Sequence, residues 1–440
     1  MLSEIPSPGL RAARPPLSVF RAGARTSAPL PGAARSTARR AVLFLVVALV
    51  AAMILDAGGT DTRVYLPCYA ILYLALIASV AAGWTRIGEP PWRSIDTACC
   101  GLLLLPLVQI AARRTSDPAL TEQAFLHIAA ATAVYWMVRR LLRTRHPLPL
   151  GHWFAVFCGA LSVEAIFQRV LTPHYIFGLI LKDYALPMGP FVNRDDFAAC
   201  VELLFPFALL LALSAHRKGR WIYILSACAA MAAVAMSASR GGAIGIGFEL
   251  ALGSWLAWRR HGSTGISFWT WTRRGLLPIL AVGAAATAAV GIGAMLGRLP
   301  SVDVALALRL KFYEAGSAIA RSHPLWGTGL GTWIAVYPRY ARIDNGKILE
   351  FAHSDYVQWA AEAGLLGAGA VAGLIASAVR TCRRCGSPLG PDALAALLGL
   401  AAFSFHALFD FPFHIPSLLL LFAAVAGTCC ADRGFRAVVS

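Results

Sequence analysis

Five short stretches put side chains suited to proton transfer or anion binding among long apolar runs. Ser237-Ala238-Ser239-Arg240-Gly241-Gly242 sets one guanidinium in a tight turn of small residues. Arg240 could grip a phosphate there with parallel N–H donors, or simply reach up to lipid headgroups. His353-Ser354-Asp355, with Glu362, Gly364 and Gly367 after it, puts an imidazole close to carboxylates. An imidazole that titrates near neutrality takes a proton from a hydroxyl, and carboxylates orient it. The plainer reading has Asp355 capping a helix, the glycines allowing close helix contact and His353 a bystander at the interface.

The third stretch runs from Arg309 and Lys311 to Arg321-Ser322-His323-Pro324-Leu325-Trp326-Gly327-Thr328-Gly329-Leu330-Gly331. Its alternating glycines could offer backbone N–H groups to a phosphate, but the Lys and Ser/Thr of a P-loop are missing and turn geometry is the simpler reason for them. Arg309 is a candidate second phosphate ligand or part of a solvated face, with Arg321 and Arg339 in the same loop. The fourth, Gly189-Pro190-Phe191-Val192-Asn193-Arg194-Asp195-Asp196, brings Asn193 and Arg194 as candidate substrate contacts. The fifth pairs His406 with Asp410, a structural role such as locking helix ends being the expectation. No metal is demanded, since the histidines form neither H-E-x-x-H nor another paired ligand spacing, and Cys382-x-x-Cys385 lacks a second pair.

What positions these residues is membrane. Of 440 residues 58% are hydrophobic and 14% charged, and the mean hydropathy is +0.65, which excludes a soluble enzyme or a secreted disulfide scaffold. The net charge of +17 is split by apolar stretches into short clusters, the way a multi-span protein marks one side, and no nucleic-acid recognition module accompanies it. Cys99, Cys100, Cys158, Cys200 and Cys228 sit inside apolar runs, where a thiol acts as a small hydrophobe.

Apolar runs at 41–57, 65–83, 96–112, 122–138, 152–168, 197–215, 221–237, 241–258, 275–296, 356–378, 391–408 and 413–430 predict an all-α integral membrane protein of about twelve spans. A disordered basic tail is expected over 1–40, spans one to nine over 41–296, spans ten to twelve over 356–430 and a short tail over 431–440. Lys and Arg concentrate on the side of the N-terminal tail, so both termini are expected to be cytoplasmic, with Arg113-Arg114 a local exception. Two outer segments exceed simple turns: 168–196, whose Tyr175–Leu181 suits the interface, and the partly helical loop 297–355, which carries most of the chain's polar variety.

The motifs and their order resemble the O-antigen ligase and polymerase superfamily of membrane glycosyltransferases. The resemblance rests on G-P-F-V-N-R-D-D-F-A, S-R-G-G, the loop run from Arg309 through R-S-H-P-L-W-G-T-G-L-G-T-W, H-S-D-Y-V-Q-W-A-A-E-A-G-L-L-G and H-A-L-F-D-F-P. It implies transfer of a polyprenyl-diphosphate-linked glycan to a glycan, lipid or protein acceptor at the periplasmic face of a bacterial inner membrane, without metal or other cofactor. Arg240 and Arg309 would hold the diphosphate and His353 would activate the acceptor hydroxyl. Arg321, Asn193, Arg194, Arg339 and Glu362 would contact substrate, and Ser354, Asp355, Gly364, Gly367, His406 and Asp410 would be auxiliary. Asp195-Asp196 stands where many polymerase-like relatives place Asn-His. Membrane lipids and other polysaccharide-assembly proteins are the expected partners, and nucleic acid is not. The other class of reading is a transporter or flippase for an anionic or lipid-linked solute, with the two Arg as binding residues and His353 as proton relay.

Overall fold

The computed structural model describes residues 32–88, 93–143, 148–182, 186–213, 219–259, 268–290, 301–342, 348–385 and 390–431. Most of the expected N-terminal tail, the C-terminal tail beyond Ala431 and the stretch 291–300 lie outside the described residues.

The chain is a helical bundle: α1 (Gly32–Leu55), α2 (Thr62–Ala81), α3 (Arg93–Ala111), α4 (Pro118–Leu141) and α5 (Leu150–Leu171), then a two-stranded hairpin of β1 (Tyr175–Ile176) and β2 (Ile180–Leu181). There follow α6 (Arg194–Leu213), α7 (Arg220–Ser237), α8 (Arg240–Arg259), α9 (Phe268–Trp271) and, across a π turn, α10 (Leu277–Val290). After it come α11 (Ser301–Ser322), the short α12 (Trp333–Val336), α13 (Asp355–Cys385), α14 (Pro391–His406) and α15 (Pro416–Ala431).

As far as the described residues reach, each of the twelve apolar runs falls on a helix, but they are not equal. Among the described residues seven helices are long and apolar enough to cross a membrane: α1, α2, α3, α5, α6, α7 and α13, so the protein is a multi-pass membrane protein. The 16-residue α14 and α15 reach about 24 Å at 1.5 Å per residue, short of a hydrocarbon core about 30 Å thick. α4 carries Glu122, His127 and Arg139 and is less apolar, yet from Ala130 to Met137 every residue is buried, so helices rather than lipid surround that half.

α6 is the centre. Its apolar window is 94% buried, against 28–44% for the other six long helices, and α5, α7, α8, α14 and α15 surround it. Lipid tails are as apolar as leucine, so helices in a bilayer associate through close packing and polar contacts. Gly399 of α14 accordingly presses on the Glu202 and Leu203 carbonyls of α6, and Gly427 of α15 on Val138 of α4. α3 and α4 are joined by a buried ion pair in which Arg139 donates to both Asp96 oxygens at 2.7 and 3.0 Å.

The connections after α1, α3, α5, α7 and α14 meet the long loop at one end of the bundle. Ser417 N–H donates to Gly58 O, Phe191 lies against Gly58, Ser116 N–H donates to Thr328 O, and Gly241 touches His406. Arg139, Arg140, Arg143 and Arg220 lie at the opposite ends of their helices or just beyond.

Candidate active site

Asp410, in the turn after α14, is the hub of the loop end. One of its oxygens faces His353 Nδ1 at 3.5 Å and the other faces His406 Nε2 at 4.0 Å. His406 Nδ1 in turn meets Glu202 Oε1 of α6 at 2.9 Å. The His353 side chain is 33% exposed while those of Asp410, His406 and Glu202 are at most 4%, so His353 is the open end of a buried line of alternating imidazoles and carboxylates.

Two hooks hold His353 in place. Ala352 N–H donates to Gln358 Oε1, and Tyr313 Oη donates to the His353 carbonyl at 2.9 Å. His353 itself takes a left-handed backbone, φ 56°, which turns its ring between Phe312 and Phe411. Tyr313 lies one turn beyond Arg309 on α11 and within electrostatic reach of it and of Asp410. Burial is the largest influence on the phenol and pushes it up, Arg309 pulls it down in part and Asp410 pushes it up again, so it stays a donor.

Arg240 opens α8. Ser239 caps that helix, accepting Gly242 N–H on its hydroxyl at 3.0 Å, and Ala238 before it is left-handed at φ 51°. The cap leaves the Arg240 side chain exposed at a helix N-terminus, where the partial positive charge favours an anion. The next residue, Gly241, packs on His406. The S-R-G-G turn thus meets His406 through Gly241, while Arg309 lies within electrostatic reach of Tyr313, whose hydroxyl holds the His353 carbonyl.

The fourth stretch joins from the start of α6. Asn193 accepts Asp195 N–H at 3.0 Å and donates to Asp196 at 3.2 Å, and Asp196 is in turn within electrostatic reach of Asp410. Arg194, half-buried, lies at a shallow surface depression together with Arg169, Met188 and Ser237. Arg321 and Arg339 are exposed; Arg321 follows Arg309 by twelve residues, about 18 Å along the helix, so α11 does not bring both to Asp410.

Glu362 and its glycines belong to a second network. Glu362 is 1% exposed and accepts Gly331 N–H at 2.8 Å, Trp333 N–H at 2.9 Å and Gln358 Nε2 at 3.0 Å, which clamps the loop onto α13. Gln109 of α3 seals the clamp, donating to Trp326 O and Glu362 O and accepting Leu330 N–H. Gly364 breaks α13 with φ 58° and ψ −155°, a conformation essentially reserved for glycine, and the 325–327 backbone fills the space a side chain would need. Gly367 lies against Ala363 and Trp359 one turn on.

Ser354 caps α13, while Asp355 ties it to the α14–α15 turn: its N–H donates to Ala407 O and Asp410 O, and its carboxylate takes Phe413 N–H and His414 Nδ1. Burial works against a charge on His414, but Asp355 and then Glu362 overcome it and push its pKa up to about 10. Among the described residues no three His, Cys, Asp or Glu side chains are arranged to hold a metal ion.

Sequence reasoning passed over Glu202, Tyr313, Gln109 and His414. Glu202 had a signal, a carboxylate in the middle of an otherwise apolar run, which inside a bundle marks function or a paired partner. The other three acquire their roles only through contacts far along the chain.

Residues 224–372 match the O-antigen ligase family. The match runs from α7 into α13 and contains Arg240, Arg309, Arg321, Arg339, His353 and Glu362, whereas Asn193, Glu202, His406 and Asp410 fall outside it. No curated protein matches the chain.

Proposed function

We propose that this member of the O-antigen ligase-like superfamily is a membrane glycan ligase or polymerase that transfers a polyprenyl-diphosphate-linked glycan to an acceptor hydroxyl. One observation carries the reading: the half-open His353 faces the buried Asp410 carboxylate, whose other oxygen faces His406, the residue that packs on Gly241 next to the exposed Arg240.

In this reading His353 takes the acceptor O–H proton on Nε2 while Asp410 faces Nδ1 and orients the ring. The freed oxygen attacks the anomeric carbon as the bond to the diphosphate breaks, and the electron pair leaves on the diphosphate oxygen. Arg240 and Arg309 hold that growing charge, so no metal or nucleotide is called upon. One displacement inverts the anomeric centre, which product NMR checks. Arg194 would contact the donor, and Asn193 holds the start of α6 beside it. Arg321, Arg339 and the clamp built on Glu362 shape the loop around the acceptor path.

The loop end faces the periplasm in this reading, because the arginines Arg139, Arg140, Arg143 and Arg220 gather at the other ends of their helices and basic residues stay cytoplasmic. The bacterial inner membrane is then the compartment. The testing experiment supplies purified protein in lipid with a polyprenyl-diphosphate glycan and an acceptor. Product from the wild type and none from His353→Ala supports the reading; solute flux without glycan product would replace it with a carrier.

A further inference from the structure

The line of polar groups does not stop at Asp410. Glu202 is 0% exposed in the most enclosed helix of the bundle and His406 is 1% exposed at the end of α14, a costly place for ionisable groups. A lock that only joined α6 to α14 would have both carboxylate oxygens paired, yet Glu202 Oε2 is buried without a hydrogen-bond partner. The other side of the imidazole points along the line, Nε2 toward Asp410 at 4.0 Å, and Asp410 faces His353 at 3.5 Å.

α8 has a slot for this pair. A side chain on Gly241 would collide with His406 Nε2 and one on Gly245 with Glu202 Oε1; these two glycines lie one turn apart on the same face. Gly242 lets α8 close on Ala198 of α6. Arg240 begins the same helix, so the turn that presents the arginine also seats the imidazole and the carboxylate.

We propose that Glu202 and His406 are a positioning pair that sets the orientation and charge of Asp410, and through it the basicity of His353, with Gly241 and Gly245 as the seat that makes this contact possible. The proposal rests on the glycan-transfer reading and extends it into the bundle. The titratable and charged groups around the pair are Asp195 and Asp196 from α6, Glu249 from α8, Asp410 beyond α14, and His353 in the loop. His406 meets Glu202 on Nδ1 and faces one Asp410 oxygen with Nε2, which leaves the other Asp410 oxygen facing His353 Nδ1. Losing Glu202 frees the His406 ring, Asp410 loses its partner, and His353 loses the carboxylate that fixes its tautomer.

The test uses the full chain in lipid with the glycan donor and acceptor. Glu202→Gln keeps the shape and the hydrogen bond but removes the charge; it is expected to lower kcat about tenfold or more, leave donor KM within about twofold and move the acid limb of the kcat–pH profile by about half a unit. Gly245→Ala alters no titratable group and is expected to reproduce the kcat loss by displacing Glu202. A Glu202→Gln protein with wild-type kcat and pH profile overturns the proposal. If Glu202→Gln does not fold, Gly245→Ala carries the test, and a wild-type kcat there overturns the proposal equally. No transfer by the wild type would remove the functional reading and this inference together; normal transfer with an indifferent Glu202→Gln removes the pair alone.

Discussion

His353 has one nitrogen facing a buried carboxylate and its ring one-third open, so a change there affects chemistry more than folding. His353→Ala is expected to reduce kcat about 10²–10⁴-fold with donor affinity nearly unchanged, measured by product formation against binding of labelled donor in lipid. Arg240→Ala and Arg309→Ala should act on the other term and weaken donor binding by about 1.5–3 kcal/mol each, with Arg→Lys restoring only part, because an ammonium lacks the parallel donors. Equal donor affinity in both alanine variants would take the two arginines out of the site. The residue types were legible in the sequence because guanidinium and imidazole groups are rare and costly beside lipid. Asp410 as the shared centre was not, since the sequence suggested that it only locked helix ends.

At the scale of elements, α13 and the long loop are held by contacts rather than by their own propensities. Gly364→Ala forces a side chain into φ 58° and against the 325–327 backbone, and should cost about 1–3 kcal/mol, read as a lower thermal midpoint and faster proteolysis within the loop. The G-x-x-G spacing was visible in the sequence, but only the fold shows that its first glycine is a break in a helix and a berth for the loop. Similarly, the alternating glycines after Trp326 turn out to be geometry: Gly327, Gly329 and Gly331 are all left-handed and pack on Glu362, Thr115 and Leu120. Asp96→Ala, which leaves the Arg139 guanidinium buried without its carboxylate, should destabilise the α3–α4 contact by about 3–5 kcal/mol, again checked by thermal unfolding in lipid.

The whole molecule has a pH response of its own at the α14–α15 turn. His414 binds its proton more tightly when folded, near pH 10, than the roughly 6.5 of a free imidazole. Its stabilising contribution is therefore fully present below about pH 6.5 and fades as pH rises toward 10. The melting midpoint of the wild type in lipid should fall across that window, and His414→Gln should start lower and show a flatter dependence. An unchanged slope in the variant would assign the response to other groups. Because Asp355 and Glu362 both hold His414, this turn couples the clamp on the loop to the end of α13 that adjoins Asp410.

The sequence by itself determined the solvent and the class of fold. Apolar runs long enough for a bilayer leave helices as the structure that satisfies every backbone group, and the rarity of charge between them picks out the residues fit for chemistry. Hydropathy counts residues and not neighbours, however, so it could not tell that α6 is enclosed on all sides or that α4 is polar because other helices shield it. Tertiary structure alone decided that Glu202, His406, Asp410 and His353 form one line, and that Gly241 and Gly245 make room for it. The physical reason is range: burial can be read from a local pattern, whereas a hydrogen bond between residues 204 positions apart exists only once the helices have packed.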